Sequence, residues 1–328
     1  MIPRYRRLHE AGELARRADQ LEELSDPCRL CPLACGARRL HGEAGPCGAG
    51  GDAVDAAFVS SALLHTGEEP PISGTRGSGT IFFYGCALGC GFCQNHQISH
   101  GKPPVFARVT DDQLAEMMLK LAADGAHNIN WVTPSHILPQ AVRALGIAAE
   151  GGLNLPLVFN CSGYLGLEAL DLLDGVVDIA LPDLKWLRPE SERACGLRGD
   201  YAPNIREVIS RWFDAVGPLT LDEDGLAVSG LLVRHLVLPE NLSDTDLALA
   251  FLEPLLAAGA GISLMAQYHP PEGFALPPPL HRPLTADEYY GYAYELRQLQ
   301  PPIAFIQDLE AHGIYNPDFH ADDPFLNL

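Results

Sequence analysis

The sequence predicts an α/β fold in which a parallel sheet is covered by helices. Strand-like and helix-like segments alternate through the middle of the chain, the strand-like segments are apolar on both faces, and 328 residues suffice for one large domain of this kind. Apolar residues at 47% against 20% charged exclude a disordered chain and a fibrous repeat.

Residues 1–75 precede the alternation. A helix-like start, four cysteines and a glycine-rich stretch from Gly42 to Gly51 read as a small Cys-rich, metal-binding region. Residues 80–84 (TIFFY) form a β-branched and aromatic run, the mark of a buried strand. Asp111 and Asp112 then open an amphipathic helix that runs to Ala123, with Leu114, Met117, Met118 and Leu121 at helical spacing. Further strands are expected at 128–133, 155–160, 176–182, 230–238 and 262–267. Helices at 139–149, 166–173, 204–216 and 243–258 separate them, the first ended by Gly151-Gly152. The alternation fills residues 76–270. Pro270, Pro271, Pro277, Pro278, Pro279 and Pro283 make a stiff connector, and an amphipathic helix at 286–299 and a Pro/Asp-rich tail complete 271–328. Composition alone leaves a partial barrel and an open doubly wound sheet both open.

Charge and cysteine usage narrow the function. With 42 acidic against 22 basic residues the formal charge is −20, which repels a phosphate backbone and excludes bulk nucleic-acid binding. Lysine occurs only at 102, 120 and 185, so Lys185 stands out. The Arg-rich start has no apolar run or small-residue cleavage site, and no window approaches 18 uninterrupted apolar residues. No signal peptide and no membrane span are expected, and the chain reads as cytoplasmic. Nine cysteines in such a protein point to metal or catalysis rather than disulfides.

Seven of them fall into two groups. Cys28, Cys31 and Cys35 are followed by Cys47; Cys86, Cys90 and Cys93 have no fourth cysteine near them; Cys161 and Cys195 stand alone. Three thiolates on one loop can hold three irons of a [4Fe–4S] cube and leave the fourth iron open for a substrate or cofactor. Gly85, Gly89 and Gly91 give that loop room to wrap a cofactor closely. A structural zinc loop that borrows His96 is the plainer alternative.

Cys-x3-Cys-x2-Cys with Phe92 before the last cysteine, directly after a first strand, resembles the cluster motif of radical S-adenosylmethionine (SAM) enzymes. The flanking text resembles PflX-type proteins, a subgroup related to pyruvate formate-lyase (glycyl radical enzyme) activating enzymes. The matching segments are HTGEEP at 65–70, GSGTIFF at 77–83, FCQN at 92–95, NINWVTP at 128–134, RHLVLP at 234–239 and MAQY at 265–268. The resemblance implies a partial (β/α)6 barrel and a [4Fe–4S] cluster whose open iron binds SAM. It also implies reductive cleavage of SAM to a 5′-deoxyadenosyl radical that abstracts hydrogen, and an electron donor such as flavodoxin or ferredoxin.

In such barrels reactive groups sit at the carboxyl ends of strands. Thr133 stands where many relatives carry a Gly-Gly-Glu stretch for the SAM amino group, and this chain lacks that stretch. Asn160 and Ser162 end a strand in a polar turn, which is either a SAM contact or a plain turn. Asp183 and Lys185 are alternate residues facing one way, and they match the Asp-x-Lys pair of the activating enzymes, which helps hold SAM or a nearby cation. Arg234 and His235 lie in an apolar strand. Arg234 suits a carboxylate clamp on SAM, and His235 reads as a satisfied core histidine. Gln267 ends the sixth strand near the site of a SAM-proximal histidine in the relatives. Glu68 and Glu69 match the subgroup without an evident mechanism, and Cys161 reads as a small buried hydrophobe.

Cys28, Cys31, Cys35 and Cys47 form a closed set of four, suited to structural zinc or to a second iron–sulfur cluster. The expected function is therefore a radical SAM oxidoreductase that abstracts hydrogen. Its target is a partner enzyme that receives a glycyl radical, or else a small molecule or another protein. An iron–sulfur electron carrier or a zinc-stabilised binding module is the reading from a different class.

Overall fold

In the computed structural model the described residues are 2–51, 56–100, 105–195, 200–271, 273–313, 317–321 and 323–325. Part of the expected tail therefore lies outside them. Two helices come first, α1 (Arg4–Glu10) and α2 (Glu13–Leu24). They are fastened to the underside of the sheet. The backbone N–H of Arg4 donates to buried Asp178 at 2.8 Å, its guanidinium donates to the Ala215 carbonyl at 2.9 Å, and the Tyr5 hydroxyl donates to the Leu155 carbonyl at 3.0 Å.

The sheet begins with β1 (Ala57–His65), and a short helix α3 (Pro70–Ser73) leads into β2 (Ser78–Phe83). Next come α4 (His96–Ser99), β3 (Ala107–Val109), α5 (Asp111–Ala123), β4 (Ile129–Val132), α6 (Leu138–Glu150), β5 (Leu157–Cys161), α7 (Leu167–Asp171) and β6 (Ile179–Pro182). The chain continues through α8 (Pro189–Ala194), α9 (Ala202–Val216), β7 (Thr220–Leu221), β8 (Ala227–Leu236), α10 (Thr245–Ala257), β9 (Gly261–Met265), α11 (Ala286–Gln298) and β10 (Ala304–Ile306). Thr110 and Thr285 cap α5 and α11 by capping boxes, which fixes where both helices begin.

The strand order is β10-β9-β8-β6-β5-β4-β2-β1-β3. From β2 to β10 every neighbouring pair is parallel, while β1 and β3 extend the sheet antiparallel on one edge. The fold is thus α/β with a mostly parallel sheet, consistent with a partial barrel. The sheet starts before residue 76 with β1 and continues past 270 with β10, and among the described residues it holds seven parallel strands, one more than the six expected. The three-residue β10 follows Pro301-Pro302 and is too short to show a period, and β1 is only partly buried, so its alternation is blurred.

Side-chain alternation splits the sheet into two cores. Ile129, Trp131 and Phe159 join the helix-side core with Leu114, Met118 and Trp212. Val158, Ile179, Leu181 and Leu232 face the other way and pack with Ile72 of α3, which floors the lumen. Above that apolar floor the lumen turns polar. Among the described residues no helix is long and apolar enough to cross a membrane.

Candidate active site

The loop after β2 carries Cys86, Cys90 and Cys93. Gly85 and Gly89 adopt φ of +90° and +67°, so the chain can turn there without a Cβ clash. Leu88 and Phe92 anchor the loop in the core, with the Phe92 ring 5.6 Å from Trp186 and 6.0 Å from Tyr268. Gly85 donates to the Ile98 carbonyl at 2.8 Å and Gly91 to the Cys195 carbonyl at 3.1 Å. A second tie runs through three glutamines: Gln267 donates to Gln94 at 2.9 Å and Gln307 donates to Gln267 at 2.8 Å. Burial pushes the Cys90 and Cys93 thiols up, while the nearby Lys185 ammonium pulls both down.

These cysteines line a cavity of about 720 Å³, and so do Thr133, Asn160, Ser162, Asp183, Lys185, Arg234 and Gln267. All seven candidates at the strand ends thus open onto one space. Asp183 and Lys185 form an ion pair at 2.7 Å with both side chains about five-sixths buried (16% and 17% exposed), so the pair is internal and not a surface bridge. Burial alone would raise the Asp183 carboxyl, but Lys185 and Arg234 outweigh it and hold it below its ordinary value.

Arg234 is held by the protein through each of its nitrogens. Nε donates to Asp183 at 2.9 Å, Nη1 to Glu68 at 3.0 Å and Nη2 to Asn160 at 2.6 Å, which leaves two of the five guanidinium N–H groups for a ligand. Glu68 rises from the segment before α3 and also accepts from Asn130 at 3.0 Å and Asn160 at 3.2 Å. Burial pushes the Glu68 and Glu69 carboxyls up against the pull of Arg234. Glu69 Oε2 is buried without a hydrogen-bond partner. No periodicity could have placed Glu68 here, because it lies outside every strand; its only signal is its place within the matching segment HTGEEP.

Thr133 sits at φ 59°, ψ 49°, a left-handed conformation that is costly for a β-branched residue, and its N–H donates to the Asn160 carbonyl at 2.8 Å. Ser162 accepts from the Tyr164 amide at 3.4 Å, in a tight turn. His235 faces away from the lumen, fully buried, between the Leu184 carbonyl at 2.6 Å and Thr245 Oγ1 at 2.9 Å. Cys161 is buried and accepts from the Gly163 amide. The amino-terminal cysteines lie outside this cavity's lining. Among the described residues no three His, Cys, Asp or Glu side chains close on one point as ligands of a single ion would.

A family model, the radical SAM superfamily, matches residues 80–223. An uncharacterized protein of Methanocaldococcus jannaschii, MJ0674, is 30% identical over 269 residues, covering 80% of this chain and 71% of that protein. The chain belongs to the radical SAM superfamily. The solved structure of native anSMEcpe with bound AdoMet superposes with a TM-score of 0.45 at 9% identity, over 68% of this chain; the match spans 61% of that structure.

Membership makes the protein an enzyme and implies a [4Fe–4S] cluster and SAM. The residues fit both. Three thiols on one glycine-bearing loop beside a buried ammonium would supply three ligands to such a cluster and leave one iron open. The cavity volume lies within the range of small-molecule sites.

Proposed function

We propose that Cys86, Cys90 and Cys93 hold the cluster, that SAM lies across the strand ends of β4, β5, β6 and β8, and that the enzyme abstracts hydrogen from a substrate admitted to the same cavity. The observation that carries this reading is that the three thiols and the Asp183–Lys185–Arg234–Glu68 network line one space. When bound, the cluster supplies the electron that cleaves the SAM sulfonium and starts radical chemistry.

The rest falls to this chain's side chains. Lys185 spends one N–H on Asp183 and presents its charge to the cavity, where it can meet the carboxylate of the methionine end of SAM. Arg234 keeps Asp183, Glu68 and Asn160 in register and retains two N–H groups that can meet the ligand from the cavity wall. Thr133 and Ser162 offer hydroxyls at neighbouring strand ends. The apolar floor built by Ile72, Val158 and Leu181 keeps water from entering below.

Anaerobically reconstituted protein should bind about four irons per chain through Cys86, Cys90 and Cys93 and show a reduced EPR spectrum that shifts on adding SAM. It should release 5′-deoxyadenosine under reduction, and Cys90→Ala should abolish both. A spectrum indifferent to SAM would sink the reading. The narrower reading, activation of a glycyl radical enzyme, draws support from the Asp183–Lys185 pair and from the flanking segments that resemble PflX-type proteins. A glycyl EPR doublet on a co-incubated partner tests it; SAM turnover without such a doublet points to a small molecule or another protein.

A further inference from the structure

The four amino-terminal cysteines are left over by that chemistry, and their surroundings are built. Cys28, Cys31 and Cys47 are buried, and Cys35 is half-buried. The segment doubles back on itself: Cys28 donates to the Ala37 carbonyl at 3.0 Å, Gly36 to the Cys28 carbonyl at 3.0 Å and Ala34 to the Cys31 carbonyl at 2.9 Å. A Cβ on Gly45 would stand 3.4 Å from Cys47 Sγ and 3.5 Å from Cys35 Sγ, so sulfurs from both ends of the segment flank one glycine. The backbone amides of Leu30, Leu33 and Ala49 face the sulfurs of Cys28, Cys31 and Cys47, each two residues upstream. Burial pushes all three thiols up, and these amides oppose it, with Arg39 adding its pull at Cys28 and Cys47.

Arg39 gives an independent pointer. It is only 7% exposed, it donates to Cys47 Sγ at 3.4 Å and to the His136 carbonyl at 2.6 Å, and its Nε has no partner. Among the described residues it has no carboxylate partner in any ion pair. A buried guanidinium against Cys47 Sγ suits a site that carries negative charge when filled, and a metal held by four thiolates carries such a charge.

We propose that Cys28, Cys31, Cys35 and Cys47 bind a second metal centre through four thiolates, and that this centre braces the loop of Cys86. The brace is a direct backbone contact. A Cβ on Gly85 would fall 2.1 Å from the Cys47 carbonyl oxygen, so the residue before Cys86 rests on the residue that closes the amino-terminal set. His136 locks the same junction, donating from Nε2 to the Tyr84 carbonyl at 2.8 Å while its own carbonyl receives Arg39. Metal binding releases the thiol protons and changes no oxidation state at sulfur; because the sulfurs do not close on one point here, a single zinc ion would draw them together, whereas an iron–sulfur cluster takes ligands more widely spread. Zinc and an iron–sulfur cluster share thiolate ligation.

The test uses the full chain with Cys86→Ala, Cys90→Ala and Cys93→Ala, which removes the lumen site and leaves the amino-terminal set intact. After anaerobic production with iron, sulfide and zinc, the desalted protein should retain about one zinc or about four irons per chain, and which metal is found names the centre. Adding Cys28→Ala and Cys47→Ala should abolish that retention. No retained metal, or retention unchanged by the added substitutions, overturns the site. Arg39→Gln, which leaves all four thiols in place, should lose the metal to a chelator several-fold faster. For the brace, Cys28→Ser in the otherwise unaltered chain should speed amide hydrogen exchange at 84–91 several-fold while α10 exchanges as before. Unchanged exchange at 84–91 would overturn it.

Discussion

Arg234 sits in an otherwise apolar strand, and it persists there because Asp183, Glu68 and Asn160 each meet one of its nitrogens. Removing one partner of a buried charge set strands the others, at a cost of about 3–5 kcal/mol. Arg234→Met should therefore lower unfolding stability by that order in denaturant titration and weaken SAM binding by calorimetry. A loss below about 1 kcal/mol would mean that the network contributes little. Thr133 makes the opposite case. Its left-handed backbone costs a β-branched residue about 1–2 kcal/mol, part of which glycine returns as chain entropy. Thr133→Gly should raise stability by up to about 1 kcal/mol, and a concurrent loss of SAM affinity would assign the hydroxyl a binding role. Both positions were legible in the sequence as strand ends. The commitment of Arg234 was not, because Glu68 reaches it across 166 residues from a segment with no period of its own.

The cluster loop is an element with little regular structure, held by what surrounds it. Its glycines and its aromatic anchor could be read directly, since a turn needing positive φ and a ring needing burial leave residue-type marks. Its tie to the far edge of the sheet could not. Gln94, Gln267 and Gln307 come from three separate stretches and meet only because β9 and β10 are neighbours. Gln267→Ala breaks both side-chain hydrogen bonds of that chain, each contributing about 1 kcal/mol. The expected result is cluster loss to a chelator several-fold faster than in the unaltered protein, followed by the fall of visible absorbance, with the midpoint of unfolding barely moved. The parallel strands themselves were evident because apolar runs of four to ten residues survive any register. The antiparallel edge of β1 and β3 was not, because half-exposed strands lack that signature.

At the scale of the whole molecule, three buried histidines bear on the acid limit. Burial depresses His65, His136 and His235 from an ordinary 6.5 to about 4 in the folded protein. The unfolded chain then binds protons that the folded chain refuses, so the histidines' contribution is full above about pH 6.5 and is lost as pH drops toward about 4, while Asp178, raised to about 6 by burial, works in the opposite direction. Thermal unfolding followed from pH 7.5 to 4 should show the midpoint declining across that window, and His235→Gln should flatten the decline. An unchanged slope would place the titrating groups elsewhere. The contact between Gly85 and Cys47 has a consequence of another kind. Because a side chain at 85 would meet the Cys47 carbonyl and would sit at a φ of +90°, Gly85→Ala should both strain the turn and push the two cysteine segments apart, so that a single methyl group reaches both sets of cysteines at once.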